Sequence, residues 1–497
     1  MKEYRIIIAI IIVSLLLYCL TLKGAVGNFS TTVDLWKQRV DGFKPGIFEI
    51  SHESSSYVTL LSMANNGSIT LDKSFADIGI PDIGYYNGKL YSFFPIGLPI
   101  IAFIPYVLGC IFNLGQVSAF AIIPIIAILS EILLYKIART VFKLSISLSM
   151  LTVLIFAFGS FSWNYSVTLY QHQVVVFLGL FMFFAIVKFK EHGQQQAWWS
   201  IALWSSYGIS IFFDFPNIVL LAPFIIYFIC ISIDETRRLR TKSFITCIAG
   251  SVFFLTFICA HLLYSHFVYG HWWLVSNALP QSSNFSYKFL LYNAEFIARQ
   301  KANLSVYFSL LHVPSGLYTF FVEPTKSFLY FSPIFLLALF GLPVIRHNEY
   351  GYLLSASVLT TIFFYASFGD SAGGWTFGLR YLVFIFPFLS LLIALGMKKM
   401  NGLGIKILGY VLLCYSSMNI LSGVLTTNFS PPNLETSYYG IKNYGYIIDG
   451  LSNSFIFNTF LRSHMLLSTY YVIILGILFS LFAFVIFILP IHDKVDL

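Results

Sequence analysis

Long apolar runs broken by short polar loops set the pattern of this chain. A stretch of about 20 apolar residues crosses a bilayer as one helix. By that measure, spans fall near 4–22, 117–138, 146–163, 171–188, 197–213, 216–233, 243–266, 328–345, 351–367, 378–396, 404–426 and 469–490. The pattern predicts an all-α polytopic membrane protein. The run 96–114 is long enough to span, but it opens on "FPIGLP" and carries a further proline and glycine.

Lysine and arginine choose between the two topologies. With 96–114 only embedded, "KIARTVFK", "KFKEHGQQQ", "DETRRLRTK", "RHNEYG", "KKMNGLGIK" and the tail "HDK" share a side with Lys2 and Arg5. That is the positive-inside arrangement. The expectation is therefore about twelve transmembrane helices plus one membrane-embedded helix, with both termini cytoplasmic. A full span at 96–114 is the alternative. The first apolar run has no convincing small-residue cleavage site and is expected to be retained.

Composition agrees. Of 497 residues, 58% are hydrophobic and only 10% charged, with mean hydropathy +0.81. Soluble domains carry roughly 25% charged residues. The net charge of +8 needs no nucleic-acid partner, because positive-inside loops supply it. The six cysteines (Cys19, Cys110, Cys230, Cys247, Cys259, Cys414) lie in apolar stretches without paired spacing. They read as small buried hydrophobes.

Three long segments fall outside, near 23–95, 267–327 and 427–468. The first holds Asp34, Asp41, Glu49, Glu53, Asp72, Asp77 and Asp82, and short outer turns add Asp214 and Asp370. Chemistry is thus expected on the outer face, where a donor must already have been carried across, as a lipid-linked donor is. Within the first loop, Tyr57, Leu60, Leu61 and Ala64 have helical spacing between a Ser51 N-cap and a Gly67 stop. The spacing predicts an amphipathic helix in the interface. Glu53 falls in its first turn, where the helix dipole favours the ionised carboxylate. It serves there either as a base or only as a cap. Downstream, Asn87-Gly88 signals a turn. Tyr85, Tyr86, Tyr91, Phe93 and Phe94 form an aromatic belt that anchors or stacks on sugars.

"GDSAGGWTFGLRYL" (369–382) crowds Asp370, Trp375, Arg380 and Tyr381 around Gly373 and Gly374 at the mouth of a span. An arginine there either snorkels to the headgroups or faces the protein interior. Asp214 in "FFDFPN" is read as capping the helix after Pro216. Glu131, inside a span, is read as a structural partner. The Asn-x-Ser sequons at Asn28, Asn66, Asn164, Asn284, Asn303 and Asn428 are all placed outside.

Taken in order, "NGKLYSFFPIGLP", "LLYKIART", "SVTLYQH", "FVEPTKSFLYFSP" and "GGWTFGLRYLVFIFPFL" resemble the GT-C superfamily of membrane glycosyltransferases, in its protein mannosyltransferase-like group. The likeness runs from residue 1 to about 396. It divides the chain into a catalytic module, 1–396, and C-terminal helices, 397–497.

The resemblance implies transfer of a hexosyl or pentosyl group, with inversion, from a polyprenyl-phosphate donor to an acceptor hydroxyl on the outer face. Dolichyl phosphate mannose is a donor of this kind. It implies a catalytic carboxylate in the first outer loop, here Glu53, with Asp34 and Asp82 as runners-up. Arg380, Lys326 and Tyr381 take the donor phosphate. His52, His172, Trp375, Tyr91 and Asp370 line the pocket. No cofactor is required, and a divalent cation stays open. The partners are the lipid-linked sugar, membrane lipids, and an acceptor that is a protein, a lipid or a polysaccharide. A lipid-linked polysaccharide polymerase and a transporter are the rival classes. A transporter would want broken helices and polar midplane residues in repeated halves, which the sequence lacks.

Overall fold

In the computed structural model, the structure describes residues 3–24, 48, 51–79, 82–191, 196–233, 241–279, 308–374, 376–400, 402–428 and 443–488. Each of the twelve expected spans coincides with helix. Among the described residues, seven helices are long and apolar enough to cross a membrane: Glu3–Thr21, Gly115–Thr140, His172–Glu191, Phe244–Tyr269, Arg380–Met400, Leu403–Leu425 and Leu467–Phe487. Shorter apolar helices lie at Gly97–Cys110, Ile146–Phe158, Asn217–Ile231, Pro333–Ile345 and Gly351–Ala366. The protein is a multi-pass membrane protein. Gly97–Cys110 is a separate helix of 14 residues, about 21 Å at 1.5 Å per residue. That is well short of a bilayer core of about 30 Å.

One apolar core runs from Ile6 and Ile10 through Phe156, Phe183, Phe224 and Phe386 to Leu478 and Phe482. The C-terminal helices therefore share the core of the N-terminal part. Backbone and side-chain bonds tie the end of the first helix to them: Phe455 N–H donates to Leu22 O at 2.8 Å, Lys23 Nζ to Thr426 O at 2.9 Å, and Tyr470 Oη to Leu20 O. A buried carboxyl needs donors. Glu131 finds them on the first helix, in Ser14 and Tyr18, four residues apart and so on one helix face. Glu131 thus joins two spans.

At one end of the spans sits a cap built from the loop that follows the first span. Asn87 (φ +47°) and Gly88 (φ +78°) turn a two-stranded hairpin whose register pairs Ile83 with Ser92 and Tyr86 with Lys89. Two consecutive positive φ values suit the twist of flanking strands. The Ser51–Asn66 helix ends at Gly67, with φ +60°. It does not lie in the interface with one wet face. Residues 52–62 are all buried, the polar ones as completely as Tyr57, Leu60 and Leu61. The apolar side packs on Phe75, Leu98, Ala102, Phe120 and Phe213. The serine-rich side is satisfied internally: Ser55 Oγ donates to Asp82 O at 2.7 Å and pairs with Ser92 Oγ at 2.7 Å, and Ser62 Oγ donates to Thr70 O at 2.7 Å. Polar residues that find protein partners cost little to bury, so polarity here marks an internal seam.

Candidate active site

The motif 369–382 folds as a tight loop. Gly373 and Gly374 take φ of +77° and +68°, a backbone that residues with a Cβ adopt at a cost. A Cβ on Gly373 would stand 3.3 Å from Arg380 Cγ and 3.4 Å from its Nε. Asp370 fastens the turn, its carbonyl accepting from Gly373 N–H at 3.1 Å and its Oδ1 from Gly374 N–H at 3.2 Å. The exposed Asp370 thus holds the loop and does not line the interior.

Lys326 is buried at 0% exposure and donates to Gly374 O at 3.0 Å and Thr376 O at 2.5 Å. Burial and the neighbouring Arg380 bring its ammonium down to about 7, against the opposing pull of Asp370 and Glu323. Its donors go to carbonyls of the loop, so it supports the loop that carries Arg380.

Arg380 donates from Nη2 to Tyr381 Oη at 3.1 Å. Tyr381 in turn lies parallel to Tyr365 with ring centres 4.5 Å apart. Arg380 Nε is buried and without a hydrogen-bond partner among the described residues. The arginine's charge reaches His52, Tyr165, Tyr170, His172, Asp214 and Tyr365.

These neighbours form one packed group. His52 lies flat on Phe94 at 3.4 Å and against Tyr170 at 4.5 Å. Tyr170 stacks on His172 at 5.6 Å, and Tyr165 meets both rings edge-on. Tyr165 Oη donates to Phe377 O at 3.1 Å, joining positions 212 residues apart. Glu53, 1% exposed, sits beside His52 in the first turn of its helix. Its charge acts on Tyr165 and Tyr170, and that of Asp82 also acts on Tyr170. Burial, Arg380 and His172 hold the His52 imidazole well below its ordinary value, so it is neutral at pH 7.

The structure thus gathers His52, Glu53, Asp82, His172, Arg380 and Tyr381 around Tyr170, with Lys326 and Asp370 behind the loop. Tyr91 stands elsewhere. It donates to Val268 O at 3.1 Å and packs on Tyr269. Asp34 and Trp375 lie outside the described residues. Tyr165, Tyr170, Gln171 and Tyr365 escaped the sequence reading, because aromatic and amide residues in apolar runs carry no signal of their own. Asp214 does not cap the following helix, which has no side-chain cap. Burial raises its carboxyl to about 6, with the Gln171 side chain, Arg380 and the Phe215 backbone pulling the other way. The sequon residues Asn164 and Asn428 are buried and bonded to each other at 3.0 Å.

Several buried polar atoms here have no partner among the described residues: His52 Nδ1, Tyr170 Oη, Gln171 Oε1, His172 Nε2 and Arg380 Nε. Buried polar groups are ordinarily satisfied by protein or water, so such a concentration marks a place for a polar ligand. Beside Phe363 and Phe364 opens an apolar groove of about 620 Å³ that Val219, Leu310, Val313 and Pro314 also line. Among the described residues, no group of three or more His, Cys, Asp or Glu side chains is arranged to hold a metal ion.

Comparison with known proteins matches residues 97–264 to the family model described as dolichyl-phosphate-mannose-protein mannosyltransferase. No curated protein matches the chain. Among solved structures, the chain is similar to ArnT from Cupriavidus metallidurans bound to undecaprenyl phosphate, at 14% identity and TM-score 0.52, covering 98% of this chain and 78% of that one. The apo form of the same protein matches at 14% identity and TM-score 0.50, over 96% and 76%. At such identity the likeness speaks for the fold. The chain therefore shares the fold of these solved structures, and its residues 97–264 match the mannosyltransferase family model.

Proposed function

We propose that this protein transfers a sugar from a polyprenyl-phosphate carrier to an acceptor hydroxyl on the outer face of the membrane. The observation that carries the reading is the interior placement of Arg380, its Nε unpartnered amid neutral aromatic and imidazole groups. A guanidinium offers a planar fork that matches phosphate oxygens, and here no protein carboxylate forms an ion pair with it among the described residues. A lipid phosphate would supply the missing charge, and the apolar groove beside Phe363 and Phe364 suits its polyprenyl chain. Two likenesses support the choice of ligand: the description of the family model, and the undecaprenyl phosphate bound to ArnT.

Glu53 is the proposed base. A phosphate is already a fair leaving group, so the reaction needs no acid at the departing oxygen. One carboxylate must take the acceptor proton as the anomeric carbon is attacked from the face opposite the phosphate, which gives inversion. A hydrolase acting on sugar–sugar bonds would need a second carboxyl group. Arg380 stabilises the charge that grows on the phosphate, and neutral His52 packs beside the base without competing for the proton.

Purified protein incubated with radiolabelled polyprenyl-phosphate sugars and a panel of acceptors tests the reading. New glycoside with inverted configuration is the expected product. Movement of the intact lipid-linked sugar between leaflets without a new glycosidic bond would make the protein a transporter.

A further inference from the structure

Asp214 is a carboxylate at this site to which the proposed reaction assigns no task. It lies in the turn between the Gln196–Ile209 and Asn217–Leu220 helices, half-buried, with its charge acting on Arg380, Tyr365 and Tyr381. Despite that proximity, it makes no ion pair with Arg380 among the described residues. An ionised carboxylate offers about four acceptor positions. The Gln171 side chain and the Phe215 backbone lie close enough to favour its charged form. Gln171 is 4% exposed, and its Oε1 has no partner among the described residues.

The corner therefore presents carboxylate oxygens and a buried amide oxygen as acceptors, within reach of the guanidinium's charge. A phosphate brings further acceptors and is repelled here. Groups that fit are donors, and on a lipid-phosphate sugar the donors are the ring hydroxyls. A carboxylate also spans two adjacent hydroxyls at once. We propose that Asp214 and Gln171 bind hydroxyl groups of the transferred sugar, so that this pair selects which sugar the protein accepts. The inference rests on the lipid-phosphate-sugar reading above.

The experiment measures affinity of the purified full-length protein for three probes: polyprenyl phosphate without sugar, polyprenyl-phosphate hexoses and pentoses, and analogues of these lacking one hydroxyl. The parent should bind a sugar-bearing probe more tightly than the bare lipid phosphate. Asp214→Asn and Gln171→Leu should each weaken binding of that probe about 10–100-fold, the range for losing a hydrogen bond to a charged or buried partner. Neither should weaken affinity for the bare lipid phosphate, which also reports an intact fold. In the parent, one deoxy analogue should lose a similar factor, and in Asp214→Asn that further loss should vanish. Equal weakening of bare and sugar-bearing probes would place Asp214 on the phosphate side and overturn the inference. Parent affinity that ignores the sugar would overturn it while leaving the phosphate reading intact. Failure of the parent to bind any lipid phosphate would remove both.

Discussion

Lys326 Nζ stands 3.0 Å from the carbonyl oxygen of Gly374, so a buried lysine from one turn holds the separate loop that delivers Arg380. Sequence placed both cations at the phosphate. The structure gives them different positions, one beneath the loop and one at its inner end.

Removing the support should loosen the loop. Lys326→Met leaves the Thr376 carbonyl without its buried donor, at about 1–3 kcal/mol for a group left unsatisfied, while the Gly374 carbonyl keeps the Thr376 N–H. Lower thermal stability and weaker binding of polyprenyl phosphate are expected together. Unchanged binding at reduced stability would show that the loop keeps Arg380 in place unaided.

Arg380 itself is tested by geometry against charge. Arg380→Lys keeps a cation but loses the two-pronged fork, and should weaken binding of the lipid-phosphate donor, measured without acceptor. Arg380→Ala should weaken it further, by about 1.5–3 kcal/mol for each charge-assisted bond lost. An alanine variant that binds as tightly as the parent would end the phosphate-clamp assignment.

For the base, Glu53→Gln should retain donor affinity and lose transfer by about 10²–10⁴-fold, the usual contribution of general acid–base catalysis. If turnover survives in that variant and falls in Asp82→Asn, the role passes to Asp82.

Asp214 gives a pH signature. Its folded-state value is raised to about 6, chiefly by burial, with Gln171 and Arg380 opposing. Between the ordinary aspartate value near 4 and about 6, the folded chain keeps a proton that the unfolded chain releases. Stability from this group therefore falls as pH rises through that window. The neutral isostere in Asp214→Asn lacks the penalty. Its melting temperature, relative to the parent, should be higher at pH 7 than at pH 4; a constant difference would contradict the assignment.

Topology is open to labelling. Asn87, exposed at the hairpin turn, should react as Asn87→Cys from the outside. His347→Cys should react only after permeabilisation, as the lysine and arginine distribution requires. Opposite labelling at His347 would make Gly97–Cys110 part of a full crossing.

What the sequence disclosed follows from how each signal arises. Span positions were legible because burial in lipid demands long apolar runs. Arg380 was legible because a charge beside adjacent glycines at a span mouth is costly without a purpose. The Ser51–Asn66 helix was legible as a helix, but not in its burial. Periodicity reports which residues share a face and not what that face meets, and here the polar face meets protein. Tyr170, Gln171 and Asp214 matter through neighbours brought together by tertiary packing, which no local spacing records.

The short helices carry a consequence for the surrounding lipid. Asn217–Ile231 and Pro333–Ile345 expose Ile218, Val219, Ile226 and Ile229, and Leu336, Leu339, Phe340 and Leu342, respectively. At 1.5–2.0 Å per residue they reach only about 22–25 Å. A bilayer core of about 30 Å must pinch inward to meet them, at a cost of fractions of a kcal/mol per Å of mismatch. The pinch draws the outer headgroups down toward the guanidinium. A carrier phosphate could then reach Arg380 with its prenyl tail still in the leaflet, and vesicles of lengthening acyl chain should slow the protein without touching a single side chain.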